Sequence, residues 1–270
     1  MKSHQKLVVA GVVLAFIGLL FPIKMVAAKV MTKSIAYTHG EVKLEGVLAW
    51  NNAVQGKRPG ILVVHEWWGM NEYAQTRAKQ LAALGYVAFA ADMYGTGKVT
   101  THPKQAGEWM NAMMANVKNW QARAMAGLKV LQEHEMVDAN KIAAIGYCFG
   151  GATVTQLAYG GAPVKGVVSF HGALPLPSED QEIKTNVKVL IAHGNEDPFL
   201  KEDHIQKFRS ALEKAGMDWQ MVVYAGAKHS FTNPAADKVG MDALKYNKKA
   251  DERSWKHMQL FFDELFVGSR

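Results

Sequence analysis

The sequence predicts an α/β fold: a mostly parallel sheet with helices on both faces. Three observations carry that prediction. Short apolar runs alternate with segments of helical spacing from about residue 34 to residue 266. Hydrophobic residues make up 49% of the 270 residues, enough for one large buried core. The turn Gly146-Tyr147-Cys148-Phe149-Gly150-Gly151 joins an apolar run directly to a helical one.

Taken in order, Ser34–Thr38 and Val42–Trp50 read as an opening hairpin around His39-Gly40. Gly60–Val64 is a buried strand. A helix from Asn71 to Leu84 follows, ended by Gly85, and Tyr86–Ala91 is the next strand. Ala106, Trp109, Met113, Val117 and Trp120 keep helical spacing, and a second helix runs on to about His134. Met110, Met113 and Met114 on this stretch could lie over a site as a cap. Lys141–Ile145 is a short strand and Gly151–Tyr159 an Ala- and Thr-rich helix. Val164–Phe170, Val187–Ala192 and Trp219–Tyr224 are further strands. Ile205, Phe208, Leu212 and Ala215 line one later helix, and Trp255, Met258, Phe262 and Leu265 the last.

The N-terminus stands apart. Lys2 and Lys6 precede an apolar run from Leu7 to Ile23, and Val26-Ala27-Ala28 supplies small residues before Lys29. Residues 1–28 therefore read as a signal peptide and residues 29–270 as a single domain, exported to a periplasm or secreted. An uncleaved membrane anchor is the competing reading. The single cysteine excludes an internal disulfide. The net charge of +7 is spread thinly, densest at Lys245, Lys248 and Lys249. No basic stretch carries interleaved aromatics, so a nucleic-acid partner is not expected.

Chemistry concentrates on Cys148. Small residues two positions either side let the backbone bend sharply between strand and helix, as a nucleophile elbow in an α/β-hydrolase requires. A buried structural cysteine is the bland alternative. Such a nucleophile needs a base and an orienting acid, following in the order acid, then histidine. Asp197 lies in His193-Gly194-Asn195-Glu196-Asp197-Pro198, just past one strand, and His229 in Ala225-Gly226-Ala227-Lys228-His229-Ser230-Phe231, past another. Each could be an ordinary cap or loop residue, but the set in this order predicts a Cys148–His229–Asp197 triad. The loop His65-Glu66-Trp67-Trp68-Gly69-Met70-Asn71 should lie beside the elbow, so the N–H groups of Trp67 and Phe149 are the expected oxyanion donors. Glu66, close to the thiol, could hold it protonated. His65, His171 and His193 all follow strands but lack metal-ligand spacing, and no metal is expected.

These segments, with Ala91-Asp92-Met93-Tyr94-Gly95, resemble the dienelactone hydrolase family over about residues 34 to 266. The resemblance implies an α/β-hydrolase fold, a Cys–His–Asp triad and no cofactor. It also implies a glutamate, here Glu66, that keeps the resting thiol neutral. Tyr94, Trp68 and Asn233 are the expected substrate contacts. Two departures stand out. Family members hold a substrate carboxylate with arginines, one of them four residues after the catalytic histidine, where this chain has Asn233. The other lies in the cap, and Lys104 to Val117 contains no arginine; Arg123 comes later. Lys104 and Lys228 are weaker candidates for that contact. The expected activity is hydrolysis of small esters or lactones through an acyl-enzyme by an exported, monomeric protein. The alternative is a redox sensor or binding protein on the same fold.

Overall fold

The computed structural model describes residues 29–178, 181–184 and 186–267. The N-terminal segment read as a signal peptide or anchor lies outside the described residues. Among those described, no helix is long and apolar enough to cross a membrane.

Eight strands form one sheet in the order β1-β2-β4-β3-β5-β6-β7-β8. The hairpin around His39-Gly40 joins β1 (Val30–His39) to β2 (Val42–Asn51), which pairs antiparallel with β4 (Val87–Ala91). From β4 onward every pairing is parallel, through β3 (Arg58–Val64), β5 (Val137–Tyr147), β6 (Gly166–Phe170), β7 (Lys188–Gly194) and β8 (Trp219–Tyr224). Side chains alternate across the sheet as the pleat demands. Leu62 and Val64 of β3 face α3 (Val117–Gln132), α4 (Phe149–Tyr159) and α5 (Glu202–Lys214). Ile61 and Val63 face α1 (Glu72–Ala83) and α6 (Lys248–Val267).

The helical stretch after β4 differs from its reading as a run continuous from Ala106 to Trp120. It breaks after α2 (Pro103–Met114), and α3 restarts with Asn116 as its cap, the Asn116 side chain accepting from Asn119 N at 2.9 Å. Local capping thus overrides a hydrophobic spacing that runs straight through. Val117 and Trp120 belong to α3, so α2 alone forms the cap.

After β3 the chain steps to β4 on one side, then crosses back to β5 on the other. The crevice between the C-terminal ends of β3 and β5 is therefore a topological switch point, where open α/β sheets bind their ligands.

Candidate active site

The β5–α4 turn is built by steric exclusion. A Cβ on Gly146 would fall on the backbone carbonyl of Gly150, and one on Gly150 would fall on the carbonyl of Val64. Only glycine at both positions lets the start of α4 sit against the end of β3. Cys148 is squeezed into φ 54° and ψ −114°, a conformation costing a side-chain-bearing residue about 1–3 kcal/mol. His171 at φ 40° and Ser230 at φ 55° are the other non-glycine residues with positive φ among those described. All three meet at this one place.

Asp197 and His229 arrive from the loops after β7 and β8. His229 Nδ1 donates to Asp197 Oδ2 at 2.7 Å, and both side chains are buried. The other Asp197 oxygen accepts from Phe199 N at 3.0 Å, fixing the carboxylate. With Nδ1 turned to Asp197, the far side of the ring is left for Cys148, which lines the same cavity. Burial alone would lower the His229 pKa. The neighbouring Cys148, the hydrogen bond to Asp197 and the Asp197 charge outweigh it and raise the value to about 10. Cys148, His229 and Asp197 are thus brought together as a connected set.

Sequence reasoning weighed His171 only as a metal ligand, and here it supports the elbow. Its Nδ1 accepts from Cys148 N at 3.2 Å, a proton that Cys148 shares with Phe170 O at 3.1 Å. The Nε2 proton therefore goes to Thr232 Oγ1 at 2.6 Å, and the Thr232 hydroxyl is hydrogen-bonded in turn to Tyr73 Oη at 2.6 Å. Burial, with the neighbouring His229 and Arg77 charges, holds His171 well below the usual histidine pKa, so the ring stays neutral and can accept. Arg77 anchors the far end. It donates to Tyr73 Oη at 3.2 Å and Thr232 O at 2.5 Å, and pairs with Asp251 of α6 at 2.5 Å. As a polar residue of an amphipathic helix, Arg77 gave no sequence signal for this role. Its burial depends on α6, far away in the chain.

His65 is also committed, its Nδ1 to Glu66 O at 2.5 Å and its Nε2 accepting from Met93 N at 3.1 Å. Among the described residues, no group of three or more His, Cys, Asp or Glu is arranged to hold a metal ion.

Glu66 departs from the expected contact with the thiol. It is buried, and its carboxylate accepts from Ser230 Oγ at 2.7 Å and Asn233 Nδ2 at 2.6 Å, so its two oxygens are each engaged by a donor other than the thiol. The reason is local. Ser230, with φ 55°, and the amide of Asn233 each present a donor to one of its oxygens. Burial pushes the Glu66 carboxyl up, only partly offset by those two hydrogen bonds and by the His229 and Arg77 charges.

Above Cys148 lies a cavity of about 270 Å³. Trp67, Met110, Met114, Phe199, Met241 and Leu244 form much of its wall, with Cys148 and His229 exposed to it. Met110 and Met114 thus reach the site from α2, whereas Met113 packs into the core. Phe199, Leu200, Met241 and Leu244 come from loops without periodicity, which is why sequence patterning missed them. The backbone N–H groups of Trp67 and Phe149 have no acceptor among the described residues.

Tyr94, Trp68 and Asn233 are not part of the cavity wall. Tyr94 lies behind it, stacked on Phe149 at 5.5 Å with its hydroxyl buried and unpartnered among the described residues. Trp68 packs on Ala106, Ala236 and Leu244, and Asn233 is held by Glu66.

The comparisons agree with this geometry. The model of the family described as "Dienelactone hydrolase family" matches residues 44–266. "Protein usf" of Aquifex pyrophilus is 29% identical, over 88% of this chain and 100% of the relative. A protein of Aquifex aeolicus named for carboxymethylenebutenolidase activity is 28% identical over 86% of this chain and 98% of its own length. Among solved structures, "m3DLH" superposes with a TM-score of 0.84 at 38% identity, covering 88% of this chain and 99% of the other. A dienelactone hydrolase-like promiscuous phosphotriesterase, P91, from metagenomic libraries superposes at 0.83 with 36% identity, over 87% and 98%. The extent of the family match, on a sheet and turn built as described, assigns the protein: this chain belongs to the dienelactone hydrolase family.

Proposed function

We propose that this lactone or ester hydrolase works through an acyl-enzyme on Cys148. The observation that carries the reading is the buried Cys148–His229–Asp197 set, with the 2.7 Å His229–Asp197 bond, facing an apolar cavity. In this reading the Cys148 sulfur attacks the carbonyl carbon, forming a C–S bond. Negative charge gathers on the carbonyl oxygen, stabilised by the N–H groups of Trp67 and Phe149. His229 gives its proton to the leaving oxygen as the C–O bond breaks. It then takes a proton from water, which attacks the thioester, and returns that proton to the sulfur as the acid leaves. Asp197 keeps the His229 proton on Nδ1 throughout.

Intact-mass measurement after rapid quenching with para-nitrophenyl butyrate tests this. A single butyryl adduct on the peptide containing Cys148 is expected. Turnover with the adduct absent in both wild type and a deacylation-slowed His229→Gln variant would rule out the covalent route.

We also propose that the protein is exported, on the strength of Lys2 and Lys6 ahead of the apolar run Leu7–Ile23 and the small residues before Lys29. N-terminal sequencing of the protein recovered outside the cytoplasm should begin near Lys29. Recovery of all the protein in the cytoplasm with Met1 retained would sink the idea.

A further inference from the structure

Apart from His229 and the Trp67 and Phe149 N–H groups that serve the reacting carbonyl, the cavity over Cys148 offers no cationic side chain to a substrate carboxylate. Apart from Cys148 and His229, every residue of its wall is apolar. The side chains that could have served are bonded elsewhere or lie outside the wall. Arg123 donates to His39 Nδ1 at 2.9 Å and Met93 O at 3.1 Å. Lys228 donates to Asp242 O at 2.9 Å, on the surface. Lys104 is exposed on the first turn of α2, outside the wall. Arg77 is engaged with Asp251 and Thr232, and Asn233 donates to Glu66 at 2.6 Å. His229 is already paired with Asp197 at 2.7 Å. A carboxylate entering this space would lose its water and gain no partner, which is among the costliest exchanges available to a ligand.

Size narrows the class further. At about 270 Å³ the cavity lies just below the usual 300–1,000 Å³ of small-molecule pockets.

We propose that the site selects small, uncharged acyl compounds, apolar esters and lactones without a carboxylate, over the acid-bearing butenolides for which several relatives are named. This rests on the hydrolase reading above, with Cys148 as nucleophile. The Met-rich wall suits such ligands, since thioether side chains adapt to irregular apolar shapes.

The test compares kcat/KM for two matched pairs. One is the carboxymethylene butenolide anion against the same ring bearing a plain methylene. The other is para-nitrophenyl hydrogen glutarate against para-nitrophenyl butyrate, so that a site cleaving esters but not lactones still gives a ratio. The neutral member should be favoured by at least about 100-fold, a size of discrimination expected when one substrate leaves a charge unpaired. Met110→Arg, and separately Met241→Arg, each at a half-exposed wall position, should shrink that ratio at least about tenfold by supplying a cation. Two variants guard against one that misfolds. Equal or preferred turnover of the anions by wild type would overturn the selectivity proposal while leaving the hydrolase reading intact. No turnover of any of the four compounds, with Cys148 unacylated, would overturn the hydrolase reading and this inference with it.

Discussion

Replacing Cys148 with alanine is expected to lower kcat/KM for para-nitrophenyl butyrate by about ten-thousand-fold or more, while the protein stays folded. Losing a nucleophile that acts in concert with its base removes nearly all the transition-state stabilisation of the unit, leaving only what binding and oxyanion donors supply. No substitute is at hand. Cys148 is the only cysteine of the chain, and the nearby Ser230 hydroxyl is occupied by Glu66. Alanine inherits the φ of 54° but no worse strain than cysteine had, so thermal unfolding should move little. Cys148→Ser is the harder test, because a hydroxyl needs a stronger push from His229 than a thiol. Steady-state kinetics with a melting curve on each variant decides it. A Cys148→Ala protein retaining activity within tenfold of wild type would refute the role.

Asp197→Asn should cost about a thousand- to ten-thousand-fold in kcat, as when the orienting acid of a triad is replaced. An asparagine can turn its amide toward Nδ1 and so favour the other tautomer, with the proton facing the sulfur. The pH profile should change as well. His229 remains protonated in the wild type up to about pH 10, so a rate that needs the imidazolium falls only above that pH. Burial works to lower this value, and Asp197 is one of the groups opposing it. Removing the Asp197 charge therefore moves the alkaline limb to lower pH. An unchanged limb in Asp197→Asn would show that the titration seen in the rate belongs to another group.

Much of this architecture was legible because its signals are local. The glycines of Gly146-Tyr147-Cys148-Phe149-Gly150-Gly151 announce a turn no other residue could make, and Asp197 and His229 each follow an apolar run that could only be a strand. The antiparallel attachment of β2 to β4 was not legible, since the order of strands is a property of the packed sheet. Cavity residues such as Phe199 and Met241 were missed for a similar reason. An isolated apolar residue in a loop reads as noise until the fold shows what it faces; Phe199, 56% exposed, turns its edge to the His229 ring at 5.0 Å. The direction in which Glu66 points was equally out of reach, being decided by Ser230 and Asn233 over 160 residues away.

The three left-handed residues at the site bear on what could be cut from this protein. Such backbone survives only where its surroundings over-determine it. Here the surroundings are two strands, β5 and β6, and the loop beyond β8, tied through His171, Thr232 and Arg77 to the last helix. An excised peptide holding β5, the elbow and α4 would contain the reactive thiol but relax to ordinary angles, and its sulfur would behave like that of any unstructured cysteine. Reactivity at Cys148 is therefore a property of the assembled fold, not of the short motif by which the sequence first betrays it.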